Sequence, residues 1–349
     1  MDEPVNCSPN REEPFEGSIG LRIGAIFIIL VTSAATTLFP VITRRLPRAH
    51  VPDSVFDFAR YFGSGVIIAT SFIHLLAPGT EELTSPCLNA NFQVYPFSFA
   101  FAMIAAFMTF FVEIMAFRFG SKKAEQLAYN GHAGGHHHPA EHGTVPPNVT
   151  EPLSGSSDVE KTHQPKDVGL GSDIEEVAVL DKDAPLSAAA SQIIGVLILE
   201  FGVIFHSVII GITLGTTTDF TILFIVIIFH QMFEGLGLGS RLATLPISRK
   251  SLIPYIGCIA YALVTPIGLA IGLGVRTTYN EDSARANYVT GIFDSFSAGI
   301  LIYTGMVHCL AHDMIMNDKF RTLPMGRLLF NIFTMLLGAG LMALLGRWA

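Results

Sequence analysis

Along this chain the apolar residues fall into long, nearly uninterrupted runs rather than into alternating or one-sided patterns. Eight such runs lie near residues 19–42, 55–79, 95–118, 189–214, 220–242, 251–274, 287–311 and 324–346. Each is too long and too evenly apolar for an amphipathic helix lying on a surface. About 20 apolar residues are what a helix needs to cross a ~30 Å hydrocarbon layer. The pattern predicts an all-α integral membrane protein with eight transmembrane helices. It divides the chain into a short tail (1–18), helices one to three (19–118), a long connection (119–188) and helices four to eight (189–349). The long connection is rich in Gly, Pro, Ser, Asp and Glu and poor in aromatics, so it is expected to be a disordered loop.

Composition sharpens this picture. Half of the residues are hydrophobic and only 14% are charged, with a mean hydropathy of +0.49; a soluble protein carries roughly 25% charged residues. A water-soluble globular enzyme is excluded. The net charge of −8 comes mainly from the tail and the long connection. No basic stripe or aromatic platform points to nucleic acid. The acidic tail lacks the basic region of a cleavable signal peptide.

The first run is followed by Arg44, Arg45 and Arg48, which sets its end on the cytoplasmic side. With both termini non-cytoplasmic, that side also collects Arg60, Arg118, Lys122, Lys123, Arg241, Arg249, Lys250, Lys319, Arg321 and Arg327. The other side receives Arg11, Arg22, Arg276, Arg285 and Arg347. Cys7 and Cys87 then share the oxidising side; a bridge and two separate thiols are both open. Cys258 and Cys309 sit inside spans as buried packing residues. With no CxxC pair, a thiolate zinc cluster is excluded.

Ionisable groups inside spans are costly, and each is a functional candidate. The fourth and fifth runs share the pattern His-x-x-x-x-Gly-x-x-Leu-Gly at 206–215 and 230–239. His206 and His230 both fall near mid-span, and His230 and Glu234, four apart, share a helical face. Gly211, Gly215, Gly235 and Gly239 predict close approach between these two helices. Two imidazoles and one carboxylate suit Zn²⁺ or a similar divalent ion. His74 of the second run is a fourth candidate ligand, nearer the outer end unless that helix tilts or continues beyond Pro78. Ser207 and Gln231 are adjacent, weaker candidates.

Other polar positions sort by depth. Asp294, with Ser295, and the outer Glu81 and Glu82 form an expected cation entrance. Glu200, about 9 Å below His206 at ~1.5 Å per residue, and His308, His312 and Asp313 read as an exit relay, with His308 and His312 on one face. Glu113, with no visible partner, reads as structural. In the long connection His132, His136, His137, His138 and His142 form a labile chelator for zinc or its neighbours.

At these residues the sequence resembles the ZIP (Zrt-/Irt-like protein) family of divalent-metal transporters, in its fungal and plant zinc/iron branch. The carriers are His206-Ser207-Val208-Ile209-Ile210-Gly211, His230-Gln231-Met232-Phe233-Glu234-Gly235, and the Gly291–Tyr303 segment of the seventh run. The resemblance implies a three-plus-two-plus-three bundle, inward transport by elevator-like alternation, and a primary metal site at His206, His230 and Glu234 joined by His74. Some relatives hold a second metal beside the first. Here Ile210 replaces a glutamate, Ser207 and Gln231 stand where Asn and Asp occur, and Thr265 takes an acid position, so one transport site is expected.

The expected function is import of Zn²⁺ into the cytosol, with Fe²⁺ or Mn²⁺ import as the alternative. An intramembrane metal-dependent hydrolase or a metal sensor is the alternative from another class, without a HExxH helix to support an enzyme. No resident cofactor is expected: Zn²⁺ is cargo and a ligand for the loop histidines. The expected partners are divalent metal ions and the lipid bilayer; a homodimer and cytosolic regulatory factors at the 119–188 loop stay open. The expected location is the plasma membrane, with extracellular termini.

Overall fold

In the computed structural model, residues 7–8, 18–46, 51–129 and 173–348 are described, and all secondary structure among them is helical. Eight helices are long and apolar enough to span a membrane. They are α1 (Ile19–Arg45), α2 (Asp53–Leu83), α3 (Phe97–Ala116), α4 (Gln192–Thr216), α5 (Phe220–Ala243), α6 (Ile253–Val275), α7 (Ala284–Ile315) and α8 (Met325–Leu345). The helix of α3 continues to Tyr129 and that of α4 begins at Asp173, so both reach into the stretch that composition assigns to a loop. The loop histidines 132–142 lie outside the described residues.

Local chemistry sets several boundaries. Ser18 caps α1, its hydroxyl accepting from the Leu21 N–H. In α2 a π-helical turn over Thr70–Leu76 precedes Pro78, and the Ala77 N–H reaches back to the Phe72 carbonyl. The wider turn makes room for a proline that would otherwise clash with the carbonyl four residues back. The helix therefore runs past Pro78 to Leu83. A second π-helical stretch, Gly305–Ile315, extends α7.

The most buried span is α2, whereas α3 and α8 present rows of exposed apolar side chains such as Phe107, Phe111, Phe333 and Leu336. Such rows suit hydrocarbon rather than water. Within the bundle α4 packs on α6, α1 on α5 and α6, α2 on α5 and α8, and α7 on α3, α4 and the second half of α2. Glycines make the tightest crossings: any side chain at Gly63 of α2 would overlap the Gly237 backbone of α5.

Two arginines fasten α1 at both ends. Buried Arg22 donates to the carbonyls of Leu214 and Gly215 at 3.1 Å and of Thr217 at 2.7 Å, covering the exposed end of α4. Arg45 donates to the carbonyls of Arg249 and Ser251 in the α5–α6 link. Arg22 thus belongs to the packed interior and carries less weight as a flanking charge. Cys7 and Cys87 are disulfide-bonded, with Cα atoms 5.3 Å apart. Asn280 Nδ2 donates to the Ser8 carbonyl at 2.8 Å, so the tail is tied to the links after α2 and α6. Cys258 and Cys309 are free and buried.

Candidate metal centre

The repeated pattern of α4 and α5 has two faces. Gly211 of α4 packs against the Thr265 carbonyl and Gly268 of α6, and Gly215 against Gly272. Gly235 and Gly239 of α5 meet Thr37 of α1 in the same manner. These glycines therefore serve α6 and α1, and do not join α4 to α5 as their spacing suggests. A residue five positions beyond a histidine points about 140° away from it at ~100° per residue. Glycine packing on one face turns His206 and His230 toward each other on the other.

There the ligand atoms converge. His206, His230 and Glu234 are each 1% exposed, and one ligand atom from each lies within 4.8 Å of the others. His206 Nε2 is 3.3 Å from His230 Nε2, and His230 Nε2 is 3.3 Å from Glu234 Oε1. Neither oxygen of Glu234 has a hydrogen-bond partner of good geometry among the described residues. Ligands ~2.0–2.1 Å from a tetrahedral ion stand about 3.3–3.4 Å apart. The two 3.3 Å contacts match the ligand spacing of such a shell, and the same contacts suit hydrogen bonds donated by a neutral imidazole N–H.

His74 is adjacent. The π-helical turn of α2 brings its ring to 5.0 Å from that of His230, centroid to centroid. Its Nε2 lies 2.8 Å from the Met342 carbonyl of α8. A proton there leaves Nδ1 with the lone pair, the division of labour usual in metal-binding histidines. The weaker candidates are placed differently. Gln231 donates through Nε2 to Thr265 Oγ1, while Tyr261 donates its hydroxyl to Gln231 Oε1 and, at 2.8 Å, to the Gln231 carbonyl. Both ends of that amide are committed to α6. The Ser207 hydroxyl is buried without a partner among the described residues.

Above the triad opens a cavity of about 300 Å³ lined by His74, His206 and His230, and also by Glu81, Glu82 and Asp294. The entrance acids and the imidazoles thus share one space. Of the residues expected as a relay, His308, His312 and Asp313 line one small void of about 20 Å³ at the inner end, and Glu200 does not. Glu200 lies over Gly257 of α6. His308 Nε2 is 3.2 Å from Glu113 Oε1, and Tyr303 donates to Glu113 Oε2 at 2.7 Å. Glu113 therefore has two partners across the α3–α7 contact. His312 Nδ1 is 3.6 Å from Asp313 Oδ1. His308 and His312 thus line the same small void, beside Asp313.

Sequence reasoning missed the partners of Asp313. Arg60 of α2 and Arg241 of α5 both donate to its carboxylate, Arg241 at 2.9 Å. Both arginines read as flanking charges; their places near span ends, beside a span-embedded aspartate, were the available signal.

A family model described as ZIP Zinc transporter matches residues 19–346. The chain belongs to the ZIP family. Among its relatives, Zinc-regulated transporter 1 of Saccharomyces cerevisiae is 40% identical over 342 residues, covering 96% of this chain and 89% of the relative. Zinc transporter 3 of Arabidopsis thaliana is 33% identical over 349 residues (98% and 90%). The Arabidopsis Fe(2+) transport protein 3, chloroplastic, is 34% identical over 370 residues (94% and 85%). Relatives named for zinc and for iron thus match this ZIP chain over nearly its whole length, and the triad, the cavity and the inner cluster all fall within the ZIP match.

Proposed function

We propose that this ZIP protein imports Zn²⁺ into the cytosol, binding it at His206, His230 and Glu234 with His74 as a fourth ligand. The observation that carries the reading is the 3.3 Å spacing of buried nitrogen and oxygen ligands beside a cavity that His206 and His230 line. Two or three neutral imidazoles and a single carboxylate replace the ion's water with little negative charge, which favours borderline metals over Ca²⁺ and Mg²⁺. Glu81, Glu82 and Asp294 concentrate the cation at the mouth. With Gln231 held by Tyr261 and Thr265, a single metal occupies the site.

The neighbour relations support the three-two-three reading. Exchanging α1–α3 with α6–α8, and α4 with α5, turns the α1–α5 contact into α6–α4, α2–α5 into α7–α4, and α2–α8 into α7–α3. Arg22 and Arg45 hold α1 to the α4–α5 and α5–α6 links, which suits a block of α1, α4, α5 and α6 sliding as an elevator against α2 and α7. The disulfide sides with extracellular termini, because such bonds persist in oxidising surroundings. The plasma membrane and a metal-responsive role for His132, His136, His137, His138 and His142 complete the reading.

Zinc entry into liposomes holding purified protein and a trapped metal-sensitive dye tests it. Entry that collapses in His230→Ala and Glu234→Ala is expected; a folded protein that binds zinc without moving it would make the chain a sensor. The iron relative motivates a second arm, with Zn²⁺ and Fe²⁺ in equal amounts. Preferential loss of the zinc signal would favour iron as cargo.

A further inference from the structure

At the end of the bundle opposite the cavity, charged side chains of three spans close on one another. Asp313 of α7 accepts from Arg241 Nη1 of α5 at 2.9 Å and from the Arg60 guanidinium of α2. Arg241 Nη2 also donates to Ser64 Oγ of α2 at 2.7 Å. Arg241 is 5% exposed and Asp313 4%. Two cations on one carboxylate leave the cluster positive, seven residues or ~10 Å along α5 from Glu234. Beside it remains a void of about 20 Å³, room for little more than one water molecule.

We infer that Arg60, Asp313 and Arg241 form the inner gate of the transport route, a cationic plug that stays shut while the cavity faces outside and opens when α5 leaves α2 and α7. The inference rests on the transport reading above. The charges are distributed so that opening is feasible. Arg241 shares α5 with His230 and Glu234, so movement of the metal-bearing helix pulls it from both Asp313 and Ser64. Asp313 keeps Arg60, and the cost of stranding a buried carboxylate is avoided. Arg241 stands in the last turn of α5, from which a released guanidinium reaches water by extending along its stem. While the plug is formed, its net positive charge lies in the path of a divalent cation.

Cys309 is a native reporter of this gate. It is fully buried and within electrostatic reach of Arg241 and Asp313. Cys7 and Cys87 are bridged, so Cys258→Ala leaves Cys309 as the sole free thiol of the four cysteines. The experiment applies a membrane-impermeant maleimide to the inner face of oriented proteoliposomes holding this parent protein. Without zinc, Cys309 should react slowly. Zinc supplied on the cavity side should speed its labelling. Arg241→Ala should raise the zinc-free rate by about tenfold, and Arg241→Lys, which keeps the charge but cannot bond both Asp313 and Ser64, should fall between the two.

Fast labelling of the zinc-free parent, or no labelling of the parent during zinc entry, would overturn the gate. So would an Arg241→Ala protein as unreactive as the parent. The parent arms need no change in the cluster, so a misfolded variant does not protect the proposal. Zinc entry measured in the same liposomes separates the two readings. Its absence defeats transport itself, whereas zinc entry past an unreactive Cys309 defeats the gate alone.

Discussion

At the scale of single residues, the centre works because each polar group has one assigned duty. His230 faces both His206 and Glu234 at 3.3 Å, so its loss removes the atom common to both contacts. His230→Ala should cut zinc flux by more than the roughly 10–100-fold typical of losing a ligand's hydrogen-bond partner. His74→Ala should cost less, because His74 also leans on the Met342 carbonyl; equal losses in a flux assay would make the two histidines equivalent ligands. Gln231 is held as a neutral amide by Tyr261 and Thr265. Gln231→Glu adds a second carboxylate, so the half-saturating zinc concentration should fall about tenfold, or about 1.4 kcal/mol, with a lower maximal rate as release slows. A metal-bound imidazole must be neutral, so uptake should fall as the outer pH drops from about 7.5 to about 5. Flat uptake over that range would count against histidine ligation. His206, His230 and Glu234 were legible because mid-span depth and a four-residue spacing are properties of sequence. The duties of Gln231, Arg60 and Arg241 were not, because they depend on which neighbour each meets.

At the scale of elements, all eight spans could be read from their apolar runs, and the departures have local causes. Pro78 stops a regular α-helix, yet the π-helical turn before it carries α2 on to Leu83. That turn also brings His74 toward the centre, and in α7 His308 and His312 stay together on one small void. Glycine spacing announced close helix contact without naming the partner: α4 meets α6 and α5 meets α1. The α2–α5 crossing tests this packing. Gly237→Val would drive a side chain into the Gly63 backbone and should cost roughly 1–3 kcal/mol, as overpacked sites do, lowering the melting temperature in detergent. Gly24→Ala, with open space around it, should leave that temperature unchanged.

At the scale of the whole molecule, the acidic mouth, the singly negative triad and the positive plug form a gradient along one axis. With an effective dielectric of about 20 and a separation of ~10 Å, a divalent ion in the triad and one net positive charge below it repel by about 3 kcal/mol. That repulsion holds the ion above the plug until α5 moves. Arg22 and Arg241 are buried, yet the remaining loop arginines and lysines keep the bias that predicts non-cytoplasmic termini. The Cys7–Cys87 bridge offers a check: after mild reduction, both thiols should react with an impermeant maleimide added outside intact cells, and reaction only after permeabilisation would invert the topology.

On the proposed function the metal sits on His206, His230 and Glu234. Zinc K-edge X-ray absorption of protein lacking residues 131–143 and loaded with one equivalent of Zn²⁺ reads that shell directly. Nitrogen and oxygen scatterers are expected at about 2.0–2.1 Å, with imidazole scattering that weakens in His230→Ala. A sulfur shell near ~2.3 Å, or a spectrum unchanged by that substitution, would contradict it.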